Sequence, residues 1–333
     1  MKNGTYSICR AYLISLILSL FLSGCQESAD NSQGIPIKLS VSTTPLSSPF
    51  YVAESLGYFD NGCVRVSMID TIGGKNSFEK VSSGEADFGT SSDSVIVFKS
   101  FLRNDFSNIA TFVQSDNDVK LIVLADSPIL MSKDLLGKRI GLTKGAAGEY
   151  LLSTYLALEG VGVNDVEIIS YAPNALSAAL LSKDVDLIVP WEPYAYEALN
   201  SLEAKTKVID TKNLYTLTFN LVSRPLQTEE QVKGATCILE ALNKSINFMA
   251  SNPEQAKSIV VKRLNLDKRF LDWVWPDYIF KLSLNNSLLM NMKSQAAWAL
   301  SIGLVKKSTV PDFKGVIDPS VLTKINPMAV TIH

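Results

Sequence analysis

The sequence predicts an α/β protein of two doubly wound lobes joined by a two-strand hinge, with a helical C-terminal region. Three observations predict it. Strand-like apolar runs alternate with stretches of helical spacing, the pattern of layered α/β units with parallel sheets. The alternation occurs twice, with a second start near Ile129. Beyond Ser223 the spacing turns helical.

Taken in order, Ile37–Ser42 reads as a strand and Phe50–Phe59 as a helix ended by Gly57-Tyr58-Phe59. Val64–Ile69 is a second strand, and Phe78–Ser83 a short helix closed by Gly84. Asp87–Gly89 feeds a helix over Ser94–Leu102, and Ile109–Val113 and Leu121–Ala125 are further strands. The second unit opens with a strand at Lys138–Leu142, a Gly-Ala-Ala-Gly turn and a helix from Glu149 to Leu158. Strands at Val166–Tyr171, Asp186–Val189 and Val208–Ile209 follow, with helices at Ala175–Leu181 and Tyr194–Leu202. Thr216–Ser223 reads as a strand. The helices after it cover Gln231–Ala250, a segment started by Asn252-Pro253, Asp267–Trp275 and Ser287–Gly303. The lobes are then 36–126 with 217–333, and 127–216. The chain crosses between them near Asp126–Leu130 and Thr216–Val222, and two such connections form a hinge that closes on a ligand.

Ahead of the lobes, Lys2 and Arg10 precede an apolar run from Ala11 to Leu22, too short to span a bilayer stably. Leu22-Ser23-Gly24-Cys25 ends it and resembles the bacterial lipobox. Residues 1–24 are therefore expected to be a lipoprotein signal, Cys25 the lipidated residue, and 25–35 a polar tether with folding from near Ile35. Composition is ordinary globular, 47% hydrophobic and 19% charged. A signal carrying two basic residues and no acid leaves 29 basic against 33 acidic residues, which argues against a nucleic-acid surface. Cys63 and Cys237, 174 positions apart, either pair or stand as buried free thiols, and the second is the expectation.

Several phrases resemble one family. "SPFYVAESLGYFD", "VSSGEADFGTSSDS" and "ALSAALLSKDVDLIVPWEPYA" are similar to segments of the nitrate/sulfonate/taurine class of ABC-transporter substrate-binding proteins. "DLLGKRIGLTKGAAGEYLLSTYLALEGVGVNDVEIISY" resembles the start of that family's second lobe, and "INFMASNPEQAKSIVVKRL" and "QAAWALSIGLV" its C-terminal helices. The resemblance runs through nearly the whole mature chain and extends to relatives that bind thiamine-pyrimidine precursors. It implies a type II periplasmic-binding-protein fold, a small-molecule ligand, an ABC permease with its ATPase as partner, and a monomer on a membrane anchor. It does not name the ligand. Where relatives often carry Gly-Ser or Gly-Thr, this chain has Gly145-Ala146-Ala147, without the hydroxyl that would meet an anion.

Ligands of doubly wound sheets sit beyond the carboxyl ends of strands, where helix N-termini present unpaired amides. Candidates after the first strand are Thr44 and Ser47, balanced between capping and ligand contact, while Gly73-Gly74-Lys75-Asn76 brings backbone close after the second. Thr90-Ser91-Ser92-Asp93 is the richest polar cluster; Ser91 and Ser92 are taken as ligand contacts, and Asp93 as contact or cap. In the second lobe Lys144 and the amides of Ala146 and Ala147 face the cleft, with Lys144 reading slightly better as a solvated loop lysine, and Asn174 caps or binds. Trp191 stacks on a planar ligand or seals the closed state, Glu192 contacts ligand or braces the hinge, and Phe219 and Asn220 line the cleft floor or pack as strand residues, packing being the expectation for Phe219.

The only histidine is His333, and neither Cys-x-x-Cys nor a P-loop pattern occurs, so a binding protein without cofactor or metal is expected rather than an enzyme. Helix N-termini and Lys144 suit a small organic anion of the sulfonate type. Asp93, Glu149 and Glu192, with Trp191, Tyr51 and Tyr194 as stacking surfaces, suit the runner-up, a thiamine-precursor pyrimidine. A lipoprotein sensor that docks on a membrane receptor without transport is the remaining alternative.

Overall fold

β1 (Ile35–Ser42) alternates until Leu39 and is then buried on both faces. That pattern places it inside a sheet, parallel to β2 (Val64–Thr71) in unbroken register from Ile35↔Val64 to Ser42↔Thr71. The computed structural model describes residues 34–60, 62–201 and 205–332; Cys25 and the signal lie outside the described residues. α1 (Ser48–Ser55) starts two residues before its expected Phe50 because Pro49 fits a first turn that needs no N–H. α2 (Gly73–Ser83) also starts earlier than expected and is closed by Gly84 at φ 82°.

β3 (Phe88–Ser92) is buried throughout and leads into α3 (Asp93–Ser100). Gly89 is needed there, because a Cβ would meet Ser77 Oγ and Val81 Cγ2 of α2 at 2.8 Å. The Ser77 hydroxyl uses that closeness to donate to Ser40 O (2.8 Å) and accept from Thr90 N (3.0 Å), tying α2 to two strands. With β4 (Ser107–Ser115), β10 (Leu217–Ser223) and β11 (Ile279–Ser283), the first sheet has the order β11-β4-β10-β3-β1-β2. β11 was not expected: it is a short edge strand with only Leu282 buried, too brief for an alternating period to stand out.

The second sheet is β7-β6-β8-β5-β9, built from β5 (Leu121–Leu124), β6 (Arg139–Leu142), β7 (Glu167–Ser170), β8 (Leu187–Ile188) and β9 (Thr206–Ile209). Its helices are α4 (Ala147–Ala157), α5 (Leu176–Leu181) and α6 (Tyr194–Ser201). β5 therefore joins the second sheet, so the chain crosses at 116–120 and not near Asp126–Leu130 as expected, and it returns at 210–216. Neither sheet is purely parallel. β5 runs antiparallel to β8 and β9, and β10 antiparallel to β3 and β4. Both strands arrive directly from the other sheet, with no crossover helix to reverse the chain.

α7 (Glu229–Ser251) opens on a capping box of Thr228 and Gln231 and lays its apolar face on the first sheet's helical layer. Ser245 Oγ of α7 donates to Pro49 O of α1 at 2.7 Å. α8 (Pro253–Leu264), α9 (Lys268–Val274), α10 (Asn286–Ser301) and α11 (Ser320–Ile325) complete the chain. The expected free thiols are corrected: Cys63 and Cys237 form a disulfide with Cα atoms 6.4 Å apart. It fastens α7 to the start of β2. Sequence spacing gave no warning of it, because the two cysteines meet only through the packing of α7. Among the described residues, no helix is long and apolar enough to cross a membrane.

Candidate functional site

The ends of β1, β2, β3 and β6 converge on a cavity of about 270 Å³ between the two sheets. From β1 comes Thr44, whose hydroxyl accepts from Leu46 N (3.4 Å) and donates to Glu192 O of the opposite lobe (3.5 Å). From β2 comes the start of α2. Gly74 has no room for a side chain, since a Cβ would lie 2.9 Å from Ser92 N and 3.0 Å from Ser91 Cα. Gly73, at φ +75°, lies against Trp191 of the second lobe, the Trp Cζ2 being 3.7 Å from where its Cβ would stand. These contacts join the lobes across the cleft.

From β3 comes Ser92, which caps α3 by accepting from Val95 N. From β6 come Thr143, Lys144, Ala146 and Ala147. Neither α2 nor α4 carries a side-chain cap at its start. Their first-turn amides therefore offer donors to an acceptor, and the helix dipoles favour negative charge. Buried Glu149 accepts from Gly145 N (2.9 Å) at the start of α4, and its burial raises the carboxyl pKa. Leu46, Val95, Leu217, Phe219 and Trp191 give the cavity an apolar body.

The crossing strand at 116–120 forms another wall. Val119 bridges Trp191, with Lys120 N donating to Pro190 O (3.0 Å) and Glu192 N to Asp118 O (3.1 Å). Lys120 Nζ and Glu192 Oε1 meet at 2.9 Å with 2% and 0% exposure, and the ammonium lies over the Trp273 ring. Asp118 lines the cavity at 1% exposure and accepts from Tyr278 Oη at 2.7 Å. Its carboxyl is pushed up to about 7, chiefly by burial, with Glu192 adding to the rise and Tyr278 and Lys120 opposing it.

Of the residues expected at the site, Thr44, Ser92, Lys144, Ala146, Ala147 and Trp191 line this cavity together. The others do not line it. Ser91 is fully buried, because strand alternation turns it away when Ser92 faces the cleft. Ser47 is fully buried at the start of α1, and Asn174 is exposed while its neighbour Pro173 reaches the cavity. Asn220 is held in β10 by Thr111 Oγ1 (2.6 Å) and Asn108 Nδ2 (3.3 Å). Glu192 sits behind the wall on Lys120.

Asp93 accepts from Tyr215 Oη (2.5 Å), Gln295 Nε2 (2.8 Å) and Asn291 Nδ2 (2.8 Å), and burial pushes it up to about 6. It joins α3, the return crossing and α10. Asp118, Thr143 and Leu217 line the cavity although sequence reasoning had not placed them there, and Phe219, expected to pack in its strand, lines it too. Asp118 was legible only if the crossing had been put before β5.

Two α/β lobes held by a two-strand hinge and meeting over an inter-lobe cavity define the periplasmic-binding-protein fold. The chain belongs to the NMT1/THI5-like family, whose profile matches residues 44–256. It is 26% identical over 271 residues, 78% of this chain and 80% of the other, to a Bacillus subtilis (strain 168) protein provisionally named aliphatic sulfonates-binding. The solved alkanesulfonate-binding protein SsuA from Xanthomonas axonopodis pv. citri, bound to MOPS, superposes with a TM-score of 0.72 at 16% identity, covering 86% of this chain and 99% of that one. A 4-amino-5-hydroxymethyl-2-methylpyrimidine phosphate synthase of Legionella pneumophila subsp. pneumophila is 21% identical over 234 residues, 68% of this chain and 72% of the other.

Proposed function

We propose that the protein is the solute-binding component of an ABC importer and captures a small organic anion of the sulfonate type between its lobes. The observation that carries this reading is the inter-lobe cavity, on which the uncapped starts of α2 and α4 converge, one from each lobe. An anion bridging Gly73-Gly74 and Ala146-Ala147 gains hydrogen bonds from both lobes only in the closed state, so binding and closure are coupled. The missing hydroxyl at Ala146 and Ala147 leaves backbone amides as donors. Lys75 and Lys144 add positive charge at the same helix starts, and the apolar body accepts an alkyl chain. The names of the Bacillus and Xanthomonas relatives favour the same ligand class.

Binding rather than catalysis is the role assigned, in keeping with the binding-protein names of the Bacillus and Xanthomonas relatives. The Legionella relative, with Trp191 on the cavity wall, favours a thiamine-precursor pyrimidine as the second reading. Export on a lipid anchor at Cys25, delivery as a monomer to a permease with its ATPase, and an oxidising compartment for the disulfide complete the proposal. The receptor-docking sensor remains the alternative to transport.

Thermal unfolding with alkanesulfonates, nitrate, carboxylates and pyrimidine precursors tests the ligand class. A bound ligand at 100 times its Kd stabilises by about 2.7 kcal/mol. A rise in Tm with sulfonates is expected, and a rise with pyrimidines alone contradicts it.

A further inference from the structure

The strand that walls the inter-lobe cavity has a second, polar pocket at its back. Leu217 and Phe219 of β10 face the cavity, and alternation turns Thr218 between them to the opposite side. There Thr218 joins Thr111 of β4, Tyr215 of the return crossing, Asn291 of α10 and, from the second lobe, Tyr150 in lining a pocket of about 370 Å³. That volume lies within the range of small-ligand sites, roughly 300–1,000 Å³. Among the described residues that line it none is charged; hydroxyls and amides share the surface with two tyrosines and two leucines.

The floor of the pocket is set by Asn220, which lies behind it. Asn220 Oδ1 takes the hydroxyl hydrogen of Thr111 (2.6 Å), while its Nδ2 donates to Thr218 Oγ1 (3.1 Å). Thr111 Oγ1 is thereby left to accept and Thr218 Oγ1 to donate, the two halves of a partner for one ligand hydroxyl. Asn291 is fixed in the same way. Its Nδ2 hydrogens go to Asp93 (2.8 Å) and Thr216 O (3.0 Å), so its amide offers an acceptor. Unlike α2 and α4, α10 presents little to an anion, because Asn285 caps its start by accepting from Leu288 N at 2.9 Å.

We infer that this pocket is a second binding site, for a small neutral polyhydroxyl compound, a monosaccharide or polyol. A hydroxyl both donates and accepts, and the oriented pair of Thr111 and Thr218, buried at 3% and 7% exposure, supplies the complement of each. The Tyr150 and Tyr215 rings offer apolar faces to the C–H side of a sugar. A carboxylate or an ammonium entering the pocket would give up hydration to a lining that holds no opposite charge. The inference does not depend on the sulfonate reading, since the two sites share no lining residue.

The experiment is saturation-transfer NMR titration of the purified protein with glucose, galactose, ribose and myo-inositol, alongside glucuronate, galacturonate and glucosamine as charged counterparts. At least one neutral compound is expected to bind saturably, about tenfold or more tighter than any charged one. Thr218→Val, which removes the donor, should weaken that binding about tenfold, and Thr218→Ser should restore it to within about threefold. Trp191→Ala, on the cavity side of β10, should leave it within about twofold. The wild-type preference for neutral over charged compounds decides the matter even if Thr218→Val fails to fold. Binding of no neutral compound, or of charged counterparts as tightly, overturns the inference and leaves the sulfonate reading standing. Binding that falls in Trp191→Ala and ignores Thr218→Val places the sugar in the inter-lobe cavity and overturns it as well.

Discussion

Lys120 and Glu192 form an ion pair with almost no access to water, and each is costly without the other. Lys120→Met should destabilise the protein by about 3–5 kcal/mol in urea unfolding, because Glu192 is left buried and unpaired. A loss under 1 kcal/mol would show that the pair is dispensable. Asp93 and Asp118 are pushed up to about 6 and about 7, mainly by burial. A carboxyl raised on folding keeps its proton in the native state over a range where the unfolded chain has lost it. Stability from such a group is therefore greatest at acid pH and is lost as pH rises from about 4 to about 7. The wild-type Tm should fall over that range more steeply than that of Asp118→Asn. Identical slopes would remove Asp118 from the account. At this scale the sequence showed which side chains were polar and followed a strand. It did not show which of two neighbours faces the cleft, as Ser91 and Ser92 illustrate.

The elements owe their placement to small residues and one covalent link. Gly74→Ala puts a methyl group against Ser92 N and Ser91 Cα, and α2 must back away from β3 to receive it. A loss of about 1–3 kcal/mol and weaker ligand binding are expected, because the same shift withdraws the first-turn amides. Unchanged affinity would mean that the start of α2 does not touch the ligand. The Cys63–Cys237 disulfide closes a loop of 174 residues' separation, and its removal by paired Ser substitution should cost about 2–5 kcal/mol, read by unfolding with and without reductant. Most strands and helices were legible from period and punctuation, with α1 and α2 starting early at Ser48 and Gly73. β5 was placed in the wrong sheet because an apolar run looks alike whichever sheet accepts it. β11 was missed because a strand of five residues is too brief for its period to stand out.

The whole molecule closes through contacts on either side of the cavity. On one side Tyr150 of α4 meets Tyr215 (5.1 Å) and Trp298 (5.2 Å), and on the other Tyr196 meets Phe270 and Trp273. Tyr150 lies outside the cavity lining, so Tyr150→Ala should weaken binding about tenfold by removing support for the closed state alone. No change in calorimetric affinity would contradict that role. The two-lobed plan was readable because each lobe repeats the strand–helix alternation. The lobe-to-lobe contacts were not, because Tyr150, Tyr215 and Trp298 are far apart in sequence and meet only in the folded chain. The most direct test of the central claim, that a small sulfonate-type anion binds between the lobes, is calorimetric titration with aliphatic sulfonates, repeated on Trp191→Ala. Saturable one-to-one binding, weakened tenfold or more by the substitution, is predicted. A folded protein that takes up no sulfonate, or one whose affinity ignores Trp191, would contradict it.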